Sequence, residues 1–183
     1  MPEVTPVDTP IVIFISSRQR EFEEARKKLK EAIETLTAFK KLPMKAELVE
    51  KRGGSRIRRD IITRLNASTM YVGIFGNEFS ETTQWEFQQA MRRGLVPLIF
   101  GVLPSKGSQN KRDDRVRKFL EGVRASGIRT VSIVGYPSRP SGRASLDPRY
   151  RKLIDPVTGR IINEIAEMVG QNLEIRKMLL ATQ

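Results

Sequence analysis

The segment PIVIFISSRQREFEEARKKLKEAIETLTAF, residues 10–39, decides the fold class of this chain. Its first seven residues form a short apolar run rich in β-branched side chains, which is typical of a strand buried on both faces. Apolar residues then recur at three- and four-residue spacing and predict an amphipathic helix; they are Phe22, Ala25, Leu29, Ala32, Ile33, Leu36 and Phe39. A buried strand followed by such a helix is the repeating unit of α/β proteins.

The same alternation continues to the C-terminus. Further strands are predicted at residues 45–49, 69–75, 97–103 and 129–134, with helical periodicity between them and a final helix at about 157–181. The segment at 135–150 is rich in Pro, Gly, Ser and Arg and is predicted to be a long loop. We expect one domain over residues 1–183: a flavodoxin-like, doubly wound, five-stranded parallel sheet of order 2-1-3-4-5 with helices on both faces.

Composition excludes several kinds of chemistry. The chain has no cysteine and no histidine, so disulfides, thiolates and the commonest metal ligand are absent, and no metal site is expected. Acid–base chemistry would fall to carboxylates, lysine or tyrosine. No apolar run approaches the roughly 20 residues of a membrane span, and the N-terminus does not read as a signal peptide, so the expected location is the cytoplasm.

The charge balance points to anionic partners. Lys and Arg number 33 against 21 Asp and Glu, a formal net charge of +12. Such an excess favours nucleic acid or nucleotides, although a solvated basic surface gives the same composition. Both interpretations stay open, as does assembly into a homo-oligomer.

The predicted topology locates a candidate site. In a doubly wound sheet, ligands bind beyond the carboxyl ends of the strands, where the winding reverses direction. With order 2-1-3-4-5 this point lies between the first and third strands. We therefore expect Ser16–Arg20, the turn at Arg52–Arg56 and the loop Gly76–Thr83 to share one rim, with Glu86 in the first turn of the helix that follows.

Glu86 is the candidate for chemistry, because it lies between Trp85 and Phe87 near the start of that helix. A carboxylate facing the crevice would act as a nucleophile or stabilise a cationic sugar. The alternative is an acidic residue that stabilises the N-terminus of the helix. Trp85, similarly, either stacks on a base or nicotinamide or contributes to packing.

Two further groups are candidates for binding the ligand. In RGGSR, Gly53 and Gly54 free the backbone to approach an anion, and Arg52 and Ser55 would hold phosphate or ribose. The spacing is neither that of a P-loop nor that of a dinucleotide-binding motif, and a tight turn with solvated arginines is the alternative. Ser16, Ser17 and Arg18 directly follow the first strand, where they either face the crevice or cap the helix.

The stretches VIFISSRQREFEEARKKLKEAI, ASTMYVGIFG and SETTQWEFQQAMRRG followed by VPLIF resemble the TIR-like superfamily, which includes nucleoside 2-deoxyribosyltransferases. The closest resemblance is to an uncharacterised TIR-like branch that opens with a VFISS pattern. It covers about residues 10–103. The matching positions here are Val12 to Ser17, Glu24, Arg26, Ser80, Glu86, Ala90, Gly94 and Pro97.

The resemblance implies a glutamate, Glu86 here, that attacks or stabilises the anomeric carbon of an N-glycoside, with NAD or a nucleoside as the substrate and no cofactor. Ser16, Ser17, Arg18, Gly76, Ser80 and Trp85 would bind the nucleoside or nucleotide. Two departures, Thr69 before the third strand and no aspartate in Gly76–Thr83, favour binding or hydrolysis over base exchange. Whether the chain is an enzyme stays open; the alternative is a non-catalytic module that binds nucleotide, nucleic acid or protein.

Overall fold

The fold was determined as a computed structural model, which describes residues 10–40, 44–49, 56–103, 112–134 and 156–181. Its strands are β1 (Ile11–Ser17), β2 (Met44–Leu48), β3 (Met70–Phe75), β4 (Val96–Leu103) and β5 (Thr130–Val134). Its helices are α1 (Gln19–Lys40), α2 (Arg56–Asn66), α3 (Glu81–Arg92), α4 (Asp114–Ala125) and α5 (Pro156–Ala181). The loop predicted at 135–150 lies outside the described residues.

All five strands pair in parallel, in the order β2-β1-β3-β4-β5. The predicted fold class is thus confirmed. The observed strand bounds differ from the predicted ones by a residue at most, because short apolar runs between polar turns mark buried strands clearly. Within the described residues, no helix is long and apolar enough to cross a membrane.

The helices cover both faces of the sheet. Helices α1 and α5 pack on one face and contribute aliphatic residues such as Leu29, Ile33 and Ile161 to its core. Helices α2, α3 and α4 pack on the other face, whose core is rich in aromatic rings: Phe14, Tyr71, Phe75 and Phe87. Two cores thus enclose the sheet.

The alternation of side chains along β1 determines which of its residues reach the α3 face. Ile11, Ile13 and Ile15 belong to the core under α1, whereas Phe14 belongs to the core under α3. Because successive side chains point to opposite faces, Ser16 follows Phe14 onto the α3 face. The carboxyl ends of β1 and β3 lie side by side, with Ser16 opposite Gly73 in the register.

Helix α3 begins at Glu81, so Glu86 lies beyond its first turn. Ser80 is its N-cap, with a hydroxyl that accepts a hydrogen bond from the Thr83 N–H at 3.2 Å. The first-turn acid is therefore Glu81, and the prediction that Glu86 lies in the first turn is wrong. Since the dipole effect fades within the first turn, helix stability does not explain Glu86.

Candidate functional site

Glu86 lies on the face of α3 that packs against the sheet. This face comprises Thr83, Glu86, Phe87 and Ala90, at the three- and four-residue spacing of a buried helical stripe. The glutamate is 7% exposed. Its Oε2 accepts a hydrogen bond from the Oγ of Ser16, at the end of β1. The structure therefore brings together the two predicted residues that are 70 positions apart in the chain.

A cavity of about 270 Å³ opens beside this pair, between the end of β1, helix α2 and the start of α3. Its walls are apolar where Phe14, Ile57 and Ile61 line it. Its polar lining includes Ser17, Arg18, Arg26, Thr82, Thr83 and Glu86. Among the described residues that line the cavity, Glu86 is the one carboxylate. The volume lies just below the roughly 300–1,000 Å³ common for small-molecule sites.

The surroundings of Glu86 disfavour its charged form. Burial raises the pKa of the carboxyl from 4.5 to about 7, although the Ser16 hydrogen bond and the positive charge of Arg26 act in the opposite direction. Burial, and then the negative charge of Glu86, raise the pKa of Tyr71 well above its ordinary value. Glu86 thus exchanges a proton near neutral pH, whereas the Tyr71 hydroxyl stays protonated.

Arg26 is a cavity residue that the sequence motifs did not single out as a binding group. It is 8% exposed, and its Nη2 donates to the carbonyl oxygen of Val49 at 2.9 Å. The signal lay in the helical periodicity. Phe22, Leu29 and Ile33 are buried on α1, and Arg26 falls within the same stripe. A charged residue at a buried position of an amphipathic helix is a recognisable sign of a polar site.

The predicted binding residues separate into three groups. Ser17, Arg18 and Ser80 line the cavity together with Glu86. Gly76, Trp85 and Ser16 are described but do not line it, and Ser16 instead donates its hydrogen bond to Glu86. The remaining predicted residues, Arg52, Gly53, Gly54 and Ser55, lie outside the described residues. Ligand binding by all of these residues stays a prediction.

Trp85 packs on α2 instead of on the cavity. The guanidinium of Arg58 lies 5.5 Å from the centre of the indole ring, within the range of a cation–π contact. The indole also packs against the aromatic core beneath α3. In this position the side chain contributes to packing between α2 and α3.

Gly76 belongs to a loop that helix α1 holds in place. Glu21 accepts a hydrogen bond from the Asn77 N–H at 2.6 Å, and Arg112 donates from Nε to the Gly76 carbonyl at 3.1 Å. A Cβ atom at residue 76 would collide with the Glu21 carboxylate. A larger residue at this position would therefore displace the Glu21 carboxylate from its hydrogen bond with Asn77.

The donor set does not suit a metal ion. Within the described ranges, no group of three or more His, Cys, Asp or Glu side chains is arranged to hold one. The polar side chains that line the cavity in the described ranges are one carboxylate, two arginines, an amide and hydroxyl groups.

The fold and cavity define a flavodoxin-like α/β protein with a small polar cavity at its topological switch point. Residues 12–134 match the family described as "Domain of unknown function (DUF4062)", which is more than half of the 183-residue chain. The chain belongs to this family. None of the curated proteins matches it.

Three solved structures match parts of the chain at low identity and with TM-scores below 0.5. A 2-desoxiribosyltransferase from Leishmania mexicana is 17% identical, with 50% of this chain and 65% of that chain covered and a TM-score of 0.42. The CMP N-glycosidase BcmB from Clostridium botulinum is 10% identical, with 68% of this chain and 88% of that chain covered and a TM-score of 0.43. Apo elongation factor SelB from Methanococcus maripaludis is 11% identical, with 91% of this chain and 35% of that chain covered and a TM-score of 0.48. The chain thus spans less than two thirds of the deoxyribosyltransferase. We draw no site or activity from these three structures.

Proposed function

We propose that the chain binds a nucleoside or nucleotide in this cavity and cleaves its N-glycosidic bond, with Glu86 as the reacting carboxylate. The observation that carries the proposal is the environment of Glu86. It is a buried carboxylate in a cavity wall, held by a serine hydroxyl and, among the described residues, in no ion pair. The charge of Arg26 does not offset the burial of this carboxylate, whose pKa stays raised. A carboxylate buried in this way is costly for folding, which favours a role in chemistry.

The reaction separates charge at the sugar. As the bond between C1′ and the base nitrogen breaks, its electron pair leaves with the base and positive charge develops on the sugar. The ionised Glu86 stabilises this cation or bonds to C1′. The oxygen of a water molecule then bonds to C1′, and where Glu86 has bonded to C1′ that bond breaks and its electron pair returns to the carboxylate. One water proton passes to Glu86 and is finally released to the departing base or to solvent. The products are the free base and the free sugar.

The other walls suit the two halves of such a substrate. Phe14, Ile57 and Ile61 offer apolar surface to a base, and Thr82 and Thr83 offer hydroxyl groups to a sugar. A cavity of about 270 Å³ accommodates one nucleoside unit better than a whole dinucleotide. For NAD, we therefore propose that one half of the molecule extends beyond the cavity.

The protein should be incubated with NAD, nucleosides and nucleoside monophosphates, and the released base measured by chromatography. We expect Glu86→Gln to lower kcat at least about 100-fold, because the neutral amide stabilises no cation. Glu164→Gln is the matched control: this glutamate is also buried, on α5, and its substitution should leave kcat within about threefold. For the wild type, kcat/KM should rise as the pH passes through about 7, where Glu86 ionises.

Two results would contradict the proposal. One is the absence of base release from every substrate. The other is a Glu86→Gln variant as active as the wild type. If the wild type and Glu86→Gln both bind a substrate and neither protein cleaves it, the non-catalytic alternative is favoured.

A further inference from the structure

The hydroxyl group of Ser17 lacks a partner in the described part of the chain. Ser17 is 8% exposed, its Oγ is buried, and the residue lines the cavity. Buried hydroxyl groups are nearly always hydrogen bonded within the protein, because folding removes the water molecules that would otherwise bond to them. A hydroxyl group without a partner in a cavity wall indicates a ligand that forms the missing hydrogen bond.

The next residue brings a positive charge to the same wall. Arg18 lines the cavity, and its guanidinium forms an ion pair with Glu78 of the loop between β3 and α3. The two side chains are 30% and 63% exposed. Exposed ion pairs contribute little to stability, and a guanidinium binds the oxygens of a phosphate in a fork geometry. A phosphate group can therefore displace Glu78 from Arg18 at small cost.

Gln19, the first residue of α1, also lines the cavity and adds a side-chain amide to the wall. The non-helical backbone of Phe22 separates this first turn from the rest of α1. Glu21, in the same turn, accepts hydrogen bonds from the Asn77 and Glu78 N–H groups. Ser17, Arg18 and Gln19 thus form one continuous wall that offers a hydroxyl, a guanidinium and an amide.

We infer that this wall, Ser17–Arg18–Gln19, is a subsite for the 5′-phosphate of a nucleotide, so that the substrates are nucleoside monophosphates in preference to nucleosides. This inference rests on the proposed function for the nucleoside part of the ligand. Glu78 occupies Arg18 when no phosphate is bound. Because Glu86 repels a phosphate, the phosphate binds at the Arg18 end and the sugar points its C1′ towards Glu86.

Ribose 5-phosphate and ribose are suitable probes, because they test the subsite without a base. Their affinities should be measured by calorimetry for the wild type, Arg18→Gln, Glu78→Gln and Ser17→Ala. Arg58→Gln is the matched control, since Arg58 is an exposed arginine that contacts Trp85 outside the cavity. Thermal unfolding of each variant, and Arg18→Lys as a charge-conserving substitution, separate loss of binding from loss of fold.

We expect the wild type to bind ribose 5-phosphate at least about tenfold more tightly than ribose. Arg18→Gln should reduce this preference to within about twofold, with Arg18→Lys between the two, because an ammonium replaces the fork by a point charge. Glu78→Gln should strengthen phosphate binding by about two- to fivefold, since the competing carboxylate is lost. Ser17→Ala should weaken it, and Arg58→Gln should not change it.

The inference is overturned if the wild type shows no preference for ribose 5-phosphate, or if Arg18→Gln and Arg58→Gln lower it equally, which would indicate a general charge effect. The two proposals fail separately. Phosphate binding with this pattern but without base release removes the proposed function and leaves the subsite. Cleavage of nucleosides and nucleoside monophosphates with equal kcat/KM removes the subsite and leaves the function.

Discussion

Two glutamates in this protein are equally buried but have different surroundings. Glu86 on α3 is 7% exposed, and Glu164 on α5 is 8% exposed. Glu164 accepts a hydrogen bond from Arg129 Nη2 at 2.7 Å and forms an ion pair with Arg160 at 3.1 Å. Glu86, in contrast, accepts a hydrogen bond from the neutral Ser16 hydroxyl. Burial alone therefore does not distinguish a structural carboxylate from a candidate catalytic one.

The two glutamates lie at opposite ends of the parallel strands. Arg129 directly precedes β5, so Glu164 is held at the amino end of the strands. Ser16 lies at the end of β1, so Glu86 is held at the carboxyl end. In doubly wound proteins, ligands bind at the carboxyl edge. The comparison indicates that arginines pair directly with the buried carboxylate where no ligand is expected. Where a ligand is expected, a hydroxyl group holds the carboxylate, and the charge of Arg26 does not offset its burial.

The largest expected effect is on the pH dependence of stability. The pKa of Glu86 is about 7 in the folded protein, above its ordinary value of 4.5, so the folded state binds the extra proton. The contribution to stability is complete below pH 4.5 and is lost as the pH rises through 7, a loss of about 3 kcal/mol. Urea unfolding at pH 5 and pH 8.5 should show this loss for the wild type and for Glu164→Gln, but not for Glu86→Gln. Equal pH dependence in all three proteins would contradict the prediction.

Ser16→Ala should give the next largest change. Above pH 7 it leaves a buried carboxylate without its hydrogen bond, and the free energy of unfolding should fall by about 2 kcal/mol. The hydrogen bond also lowers the pKa of Glu86, so that pKa should rise further in the variant, which NMR titration of the carboxyl carbon would detect.

Ser17→Ala is the matched control for Ser16→Ala. Both serines are buried at the end of β1, but the Ser17 Oγ has no hydrogen-bond partner among the described residues. Its removal should therefore cost less stability, with no change in the pKa of Glu86. If the two alanine variants behave alike, the hydrogen bond from Ser16 is not what sets the properties of Glu86.

Glu164→Gln should have a smaller effect, a loss of about 1 kcal/mol at pH 7. The amide still accepts a hydrogen bond, and Arg129, whose side chain is 38% exposed, stays hydrated after the charge is lost. A double-mutant cycle with Arg129→Gln should give a coupling energy of similar size. A loss as large as that of Ser16→Ala would mean that this pair is screened far less than its exposure suggests.

The sequence alone was sufficient to predict the fold and the edge at which to look for a site. Five apolar runs with helices between them predict a doubly wound parallel sheet, and the flavodoxin-like order expected for it, which the structure confirms, places Ser16 and Glu86 together. Periodicity also contained the signal for Arg26, as a charge within the stripe of Phe22 and Leu29.

The sequence singled out Glu86, but it could not predict the partners that make the surroundings of Glu86 differ from those of Glu164. Both lie in amphipathic helices, and the difference between them depends on partners that are 70 and 35 positions away, namely Ser16 and Arg129. The cavity was equally beyond prediction, because its depth depends on how Ile57 and Ile61 of α2 pack beside β1. Contacts between distant segments, and the pKa values that follow from them, require coordinates.

The smallest effect is expected for Glu23→Gln on the exposed surface of α1. Glu23 forms an i, i+4 ion pair with Lys27 at 3.2 Å, and both side chains are more than half exposed. Such pairs contribute below about 0.5 kcal/mol and weaken with salt, so urea unfolding should barely distinguish this variant from the wild type. The three glutamates form a series: Glu23 is exposed to solvent, Glu164 is buried and paired with arginine, and Glu86 is buried and hydrogen bonded to a hydroxyl group. A loss at Glu23 comparable to that at Glu164 would show that partner and burial do not order these three residues, and the argument that singles out Glu86 would lose its physical basis.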